Sequence, residues 1–476
     1  MKVLLINPPF DIGRYMGKLG KIAFVFHPIG LAYIASYLRS KDVEVRIFDS
    51  QVETDSIQSV VRNFRPEVVG ISCVTALVPS TIELAKLLKA ELPNTTIIVG
   101  GIHPTIRPQD LLDEASIDYV AVGEGEITMY EFVQALENSR DPASVPGIMS
   151  MQDGKVIAAL PREMEKNIDI FPPPAIDMLP MEKYRMSPDM KMGDKIGLVV
   201  SSRGCPFDCI FCSNRILTKG KYREHSIERV CKEISDLIDC YGIKQLLIMD
   251  DNFAVNKRRA KELCEEFIKK NFHKRLSFIT EARVDCVDEE LLSLMAAANF
   301  KIISYGIESG NQRLLDLIKK NITLEQAKNA VTMTKKAGIS VRASFILGLP
   351  TETREESLRT IQFARELGID QVRFALATPF PGTKLWDIAR EEGSLNVKDW
   401  RQLSMMSGYV GGQSVYTPKG RDSNELAKLQ RYANLSFFFK PSVILGYMKR
   451  MTSLNAFRDI TVGAINFIRA SLFPGR

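Results

Sequence analysis

The chain has 476 residues, 45% hydrophobic and 25% charged, with a net charge of +6. That length suggests about three domains with ordinary cores, and a charge this mild, with no basic block interleaved with aromatics, excludes an evident nucleic-acid partner. Eight cysteines in so long a chain form no disulfide framework and fit a reducing cytoplasm, and no apolar run reaches the roughly 18 residues of a membrane span.

The chain opens on an apolar run, 1–6, stopped by Asn7-Pro8-Pro9 without a small-residue cleavage site, so it is not read as a signal peptide. Apolar β-branched runs at 2–6, 43–48, 68–72, 96–99 and 119–122 alternate with helical patterns at 29–39, 56–64, 80–91 and 109–115, and another helix follows at 128–136. The alternation predicts βαβ units over 1–140: a five-stranded, doubly wound, Rossmann-like parallel sheet covered on both faces. Ligands of such sheets bind beyond the carboxyl ends of the strands. The loop formers there are Asn7-Pro8-Pro9, Ser72 to Thr75, Gly100-Gly101-Ile102-His103-Pro104 and Gly123-Glu124-Gly125-Glu126. Glycines at such an edge let a backbone approach a bulky ligand closely; plain tight turns are the other reading.

Residues 141–196 read as a linker. It carries a hairpin signal, Asp153-Gly154 between two apolar runs, and then the breakers Phe171-Pro172-Pro173-Pro174.

Over 197–390, strands are expected at 197–202, 245–249, 277–282, 302–307, 340–347 and 371–377, with helical runs between them. Six such units predict a partial (β/α)6 barrel, TIM-like, with active residues at the C-terminal strand ends. The first strand runs into Arg203-Gly204-Cys205-Pro206-Phe207-Asp208-Cys209-Ile210-Phe211-Cys212-Ser213. Thiolates are soft ligands for iron–sulfur clusters and zinc. Cys205, Cys209 and Cys212 can hold three irons of a 4Fe-4S cube and leave the fourth open to a small molecule. The alternative is zinc with Cys231 as fourth ligand. Zinc knuckles usually bring two paired-cysteine hooks, whereas Cys231 stands alone in a helical run. The other strand ends carry polar residues: Asp250-Asp251-Asn252, Thr280-Glu281-Ala282-Arg283, Glu308-Ser309-Gly310 and Thr378. Buried charge is costly unless paired, so this rim suggests a polar ligand.

At the cysteine loop the sequence resembles the radical S-adenosylmethionine (SAM) enzymes, whose loop is C-x3-C-aromatic-C; Phe211 fills the aromatic slot. The resemblance implies that the open iron chelates the amino and carboxylate groups of SAM, which one electron cleaves to methionine and a 5′-deoxyadenosyl radical. It implies Asp250 and Asp251 at the methionine amino group, and Arg283 at the carboxylate or ribose. It places Glu308 and Ser309 at the ribose, and Ile346, Leu347 and Gly348 on the strand flanking the adenine. An electron donor such as flavodoxin or ferredoxin is implied as partner.

With Pro28-Ile29-Gly30-Leu31-Ala32, Val99-Gly100-Gly101 and Gly123-Glu124-Gly125-Glu126 upstream and Pro379-Phe380-Pro381-Gly382-Thr383 downstream, residues 1–390 are similar to the cobalamin-binding radical SAM enzymes. This implies cobalamin at Asn7, Ser72, Thr75, Gly100, Gly101, Gly123, Glu124, Gly125 and Glu126, with His103 at the corrin edge or else in a turn. Asp-x-His-x-x-Gly is absent, and none of His27, His103, His225 or His273 has that pattern. The implied cobalamin has no histidine below cobalt; a domain that has lost its corrin is the alternative. The implied activity is methylation of an unactivated carbon of a small-molecule, lipid or tetrapyrrole-like substrate. Radical ring closure, rearrangement or carbon–carbon coupling, and a non-catalytic electron-transfer role, are the rivals.

The tail, 391–476, holds a flexible stretch, Ser407-Gly408-Tyr409-Val410-Gly411-Gly412, expected over the barrel mouth, and a polar helix at 424–434. From Leu435 on, apolar runs carry Lys440, Lys449, Arg450, Arg458, Arg469 and Arg476, with Asp459 the only acid. Such helices either lie on the inner face of a membrane or cap the barrel.

Overall fold

The computed structural model describes residues 1–16, 20, 23–191, 193, 195–404, 414–450, 461–462 and 465; the side chains of 449 and 450 are not described. The stretch 407–412 and most of 460–473 lie outside the described residues. The chain forms two compact units, one of residues 1–10, 25–184 and 398–402, the other of 11–24, 185–397 and 403–476.

The first unit is built on a sheet of order β2-β1-β3-β4-β5-β6-β7. Its strands are β1 (Lys2–Asn7), β2 (Glu44–Asp49), β3 (Val68–Ser72), β4 (Thr96–Gly100), β5 (Tyr119–Ala121), β6 (Ile148–Gln152) and β7 (Lys155–Ala158). The first five pair in parallel. They read as near-continuous apolar runs because helices cover both faces of a parallel sheet. The sheet has seven strands rather than five. Asp153 (φ 49) and Gly154 (φ 72) supply the two left-handed residues of a tight hairpin turn. That hairpin lays β6 antiparallel along the edge of β5.

The second unit holds β8 (Ile196–Val199), the two-residue pair β9 (Ser202–Arg203) and β10 (Arg223–Glu224), then β11 (Gln245–Ile248), β12 (Ser277–Ala282), β13 (Phe300–Glu308), β14 (Ser340–Leu347) and β15 (Gln371–Leu376). Six of them form a parallel sheet of order β15-β14-β13-β12-β11-β8, a partial barrel as expected. Along β14, residues 341, 343, 345 and 347 are buried while 342, 344 and 346 are half-buried. Tyr305 on β13 bonds Thr334 of the helix Leu324–Lys336 (2.8 Å), which marks its parity as the helix-facing side. Register aligns Tyr305 with Ala343, so 304 and 342 face the lumen. Gln245 and Gln371, the first residues of β11 and β15, donate their side-chain amides to Met190 O (2.8 Å) and Asp189 O (2.6 Å), which ties the preceding segment to the N-terminal ends of these strands.

Past the barrel, Asp422 caps the helix Ser423–Phe438 by accepting from Glu425 N. This helix covers edge strand β15: buried Gln430 donates Nε2 to Phe374 O at 2.8 Å, using a main-chain acceptor that an open edge would expose. No described helix is long and apolar enough to cross a membrane.

Candidate functional site

The cysteine loop leaves β9 through Gly204, whose φ is +94. A Cβ at that position would stand 2.0 Å from Lys221 O, so only glycine fits. Gly204 N donates to Asp251 Oδ2 at 3.0 Å. Farther along, Ile210 N donates to Ile318 O (3.1 Å) and Ile210 O accepts from Leu385 N (2.9 Å), which pins the loop to two other segments of the unit. Cys205 and Cys209 are half-buried, Cys212 is exposed, and all three are free thiols. Burial pushes the Cys205 and Cys209 thiols up; at Cys209 the cations Lys320 and Arg283 pull the other way. Loading a metal centre therefore means losing protons from thiols that favour keeping them.

These residues fit a cluster held by three cysteines. Among the described residues no set of three His, Cys, Asp or Glu side chains converges as a single metal ion requires. Cys231 is buried in the core of the helix Ile227–Tyr241. Three free cysteines on one loop after the first barrel strand are the soft-thiolate donor set such a cluster takes.

The polar rim sorts into residues that stay open and residues that turn away. Asp250 is buried, and its carboxylate accepts four hydrogen bonds: Oδ1 from Ser201 N (2.6 Å) and Ser202 N (2.9 Å), Oδ2 from their hydroxyls at 2.5 and 2.8 Å. No lone pair is left for a methionine ammonium, so Asp250 is corrected to a holder of the turn before the cysteine loop. Ser309 is fully buried and bonds Thr360 Oγ1 (3.2 Å) and Asn311 N (3.1 Å), away from the lumen. A ribose contact by its side chain is corrected for that reason. Leu347 is on the buried face of β14 and Gly348 (φ +79) sits against Leu426, so of the three adenine-flanking residues only Ile346 faces the lumen. Glu308 pairs with Lys320 (2.9 Å). Arg283 bonds Asp285 through Nε and Nη2, both at 3.0 Å, and donates Nη2 to Lys320 O (2.6 Å), while Nη1 lies 3.8 Å from Cys209 Sγ. Three of its five N–H groups are bound to oxygen acceptors beside the loop, which leaves only Nη1 for the expected contact to the SAM carboxylate or ribose. Phe211 lies half-buried, its ring 6.0 Å from Lys320 Nζ.

Asp251 remains exposed beside the loop. Glu281 was passed over as a site residue although it stands in the strand-end run. Register sets it beside Ser304, and Ser304 beside Arg342, all on the lumen face. Its side chain is exposed, yet the protein around it pushes the carboxyl up by desolvation, against the pull of Arg342 and Arg373. The signal for Arg342 and Arg373 was present: each is a charge inside an otherwise apolar strand, where only a lumen position makes sense. Lys320 sits in a charged turn and had no such signal.

In the first unit the carboxyl edge is mixed. His103 is 0% exposed, with Nδ1 3.3 Å from Thr75 Oγ1, Nε2 3.2 Å from Asp110 Oδ2 and the Trp400 ring 5.1 Å away. Its ring is enclosed, so the expected corrin contact of His103 and of the Thr75 hydroxyl is corrected. Burial also pushes His103 down to about 4, which keeps it neutral. Glu126 is buried, Gly125 packs against Ile34, and Asn7 donates to Asp49 Oδ1 (2.9 Å). Ser72, Gly100 and Glu124 are half-buried, and Gly101 and Gly123 are exposed. Gly101 (φ +115) takes its shape from Cys73 O, which a Cβ would meet at 2.8 Å; Gly123 (φ +91) would meet nothing. Beside them Val74 and Ile102, each 39% exposed, follow adjacent strands β3 and β4. Bare glycine backbone next to exposed apolar side chains fits the flat, largely apolar face of a corrin. Sequence reasoning missed Val74 and Ile102 because a lone apolar residue in a loop is unremarkable.

The family model of the B12 binding domain matches residues 17–133, and that of the radical SAM superfamily matches 199–364. The chain is 36% identical over 451 residues to the uncharacterized methyltransferase PH0819 of Pyrococcus horikoshii, covering 94% of each. It is 29% identical over 458 residues to the anaerobic magnesium-protoporphyrin IX monomethyl ester cyclase of Rubrivivax gelatinosus, covering 94% of this chain and 79% of that one. It shares its fold with the radical SAM methyltransferase TsrM of Kitasatospora setae, solved with cobalamin and a 4Fe-4S cluster: TM-score 0.71 at 16% identity, covering 100% of both. The chain therefore belongs to the B12-binding radical SAM family, as an enzyme of its methyltransferase type whose cofactors are a 4Fe-4S cluster, SAM and cobalamin.

Proposed function

We propose that this enzyme methylates an unactivated carbon of a small-molecule, lipid or tetrapyrrole-like substrate. The observation that carries the reading is a three-cysteine loop at the first barrel strand, in one chain with a B12-binding sheet. When bound, the cluster supplies the electron that cleaves SAM and cobalamin supplies the transferable methyl group. Cys205, Cys209 and Cys212 hold the cluster. Asp251, exposed beside them, receives the ammonium of SAM, and Glu281 on the lumen face accepts hydrogen bonds from its ribose. Ile346 lies against the adenine. Gly101, Gly123, Val74 and Ile102 form the corrin floor. Each turnover consumes two SAM molecules and two electrons from a low-potential donor: one SAM leaves as methionine and 5′-deoxyadenosine carrying the abstracted hydrogen, the other as S-adenosylhomocysteine, and the second electron balances transfer of its methyl cation equivalent to a carbon radical.

The test is anaerobic turnover of reconstituted enzyme with methyl-deuterated SAM and candidate substrates, read by mass spectrometry. Labelled product, 5′-deoxyadenosine and S-adenosylhomocysteine in equal amounts support the reading. 5′-Deoxyadenosine with an unlabelled, rearranged or cyclised product defeats it and favours the second reading, radical ring closure, which the similarity to the Rubrivivax gelatinosus cyclase motivates. A low-potential flavodoxin or ferredoxin is the proposed electron donor, and the cytoplasm the proposed location.

The helix Pro441–Arg450 exposes Ile444, Leu445 and Met448 on one stripe, near exposed Phe439, in a segment rich in Lys and Arg. We assign it to the surface of an anionic membrane. Flotation with phosphatidylglycerol vesicles, lost in Leu445→Glu and in high salt, checks this; no flotation of the wild type refutes it.

A further inference from the structure

Two buried cations, Arg283 and Lys320, stand near Cys209. Arg283 is 5% exposed and lies under the cysteine loop. Asp285 grips its fork through two 3.0 Å hydrogen bonds, the Lys320 carbonyl takes a third at 2.6 Å, and its guanidinium carbon stacks 3.6 Å from the Phe207 ring centroid. What remains is Nη1, aimed at Cys209 Sγ from 3.8 Å. Lys320 is held on the same side by Glu308 at 2.9 Å. Room for that ion pair is made by Gly306, where a Cβ would fall 2.4 Å from Glu308 Oε1 and 2.9 Å from Lys320 Nζ. Glu308 itself adopts a left-handed φ of +72, a conformation that costs about 1–3 kcal/mol in a residue with a side chain. A glutamate held at a left-handed φ and a bidentate aspartate keep two positive charges fixed near one thiolate.

We propose that Arg283, with Lys320, is a positioning residue for the cluster: it fixes the Cys209 thiolate and raises the cluster's reduction potential. Reduction adds one electron to the cluster and breaks no bond; in the assay the electron comes from dithionite, which is oxidised. The added negative charge is stabilised by fixed cations in a partly buried site, where charge–charge effects are screened less than in bulk water. Hydrogen bonds and net charge around the sulfurs are the levers a protein has on such a potential. The proposal rests on the cluster and not on methyl transfer, and its test contains neither substrate nor cobalamin. Its failure and the failure of the methylation reading are therefore separable.

The experiment is an anaerobic redox titration followed by electron paramagnetic resonance, on reconstituted full-length chain, with iron and sulfide measured on each sample. Arg283→Gln removes the charge and is expected to lower the equilibrium constant for reduction about tenfold, which is about 59 mV for one electron. Arg283→Lys keeps the charge and stays within a twofold change, but loses the planar fork and gives up cluster iron to a chelator faster. Asp285→Asn removes the counter-charge and moves the potential the opposite way, upward. A role in folding alone would give no such reversal of sign. If Arg283→Gln binds no cluster, the Lys and Asp285→Asn variants decide. Potentials within a factor of two of wild type in both charge-changing variants, or shifts of the same sign, overturn the proposal; with the Gln variant empty, an unshifted or lowered potential in Asp285→Asn does so alone.

Discussion

Asp250 gives the sharpest separation between holding the loop and holding the ligand. Replacing it by alanine strands two buried main-chain donors, Ser201 N and Ser202 N, and removes the acceptor of both hydroxyls. Buried Arg259 keeps its own partners, donating to Ser201 Oγ (3.3 Å), Ser201 O (2.9 Å) and His225 O (2.8 Å), with Glu224 as its carboxylate at 3.8 Å. The hydroxyls can turn to other acceptors, but the amides cannot. An orphaned buried donor costs about 1–3 kcal/mol. Burial pushes the Asp250 carboxyl up against its four hydrogen bonds, so removing the charge returns part of that loss. The net expectation for Asp250→Ala is a destabilisation of about 3 kcal/mol, or roughly 6–12 °C in a domain of this size. Asp250→Asn is different. Its oxygen still serves both amides, and its nitrogen can donate to hydroxyls that reverse, so the expected cost is about 1 kcal/mol. Thermal unfolding and equilibrium dialysis of SAM on the cluster-loaded protein read the two quantities. The expected result is an Asn variant a few degrees less stable with SAM affinity within threefold of wild type. An Asn variant of wild-type stability that binds SAM ten times more weakly would show Asp250 touching the ligand, and the reassignment would be wrong.

Gly204→Ala drives a Cβ to 2.0 Å from Lys221 O at a φ of +94, so iron and sulfide per chain after anaerobic reconstitution should fall well below wild type. Gly101→Ala, at φ +115 and 2.8 Å from Cys73 O, should lose retained cobalamin, measured by corrin absorbance after desalting, while cluster content stays unchanged. Glu352 is pushed by burial to about 7 although Leu349 N and the Ser357 hydroxyl bond it. A carboxyl raised in the fold favours the folded state when protonated, so its contribution is full below pH 4.5 and is lost as pH rises toward 7, by about 3 kcal/mol at 1.36 kcal/mol per unit. Glu352→Gln cannot ionise; its stability relative to wild type, from urea unfolding, should rise between pH 5 and 8, and an unchanging difference would refute the assignment.

The strands were legible because a parallel sheet buried on both faces demands unbroken apolar runs, and 68–72 or 96–99 satisfy no other pattern. The turn at Asp153-Gly154 was legible as well, but not its destination: pairing β6 with β5 is a tertiary choice made at a vacant edge. The cysteine loop announced itself by spacing. What the sequence hid was direction. In a strand, a shift of one residue turns a side chain from lumen to helix layer, and β13 contains such a shift between Gly306 and Glu308. That irregularity leaves Glu308 on Lys320 and sends Ser309 to Thr360, although the two are adjacent in the chain.

The polar residues that turned inward share a local cause. Asp250 has two serines within reach, Ser309 has Thr360 and the Asn311 amide, and His103 has Thr75 and Asp110. Each finds short-range partners enough to satisfy a buried group, and burial then costs little. Asp251 and Glu281 have no such supply. Asp251 takes one amide, that of Gly204, and Glu281 faces Arg342 and Arg373 across space rather than through a close pair. Both carboxylates stay open in the unit that holds the cysteine loop, and the proposed SAM contacts rest on that. Arg283 differs from them: Nε and Nη2 are bound to Asp285 and the Lys320 carbonyl, and Nη1 lies 3.8 Å from the Cys209 sulfur.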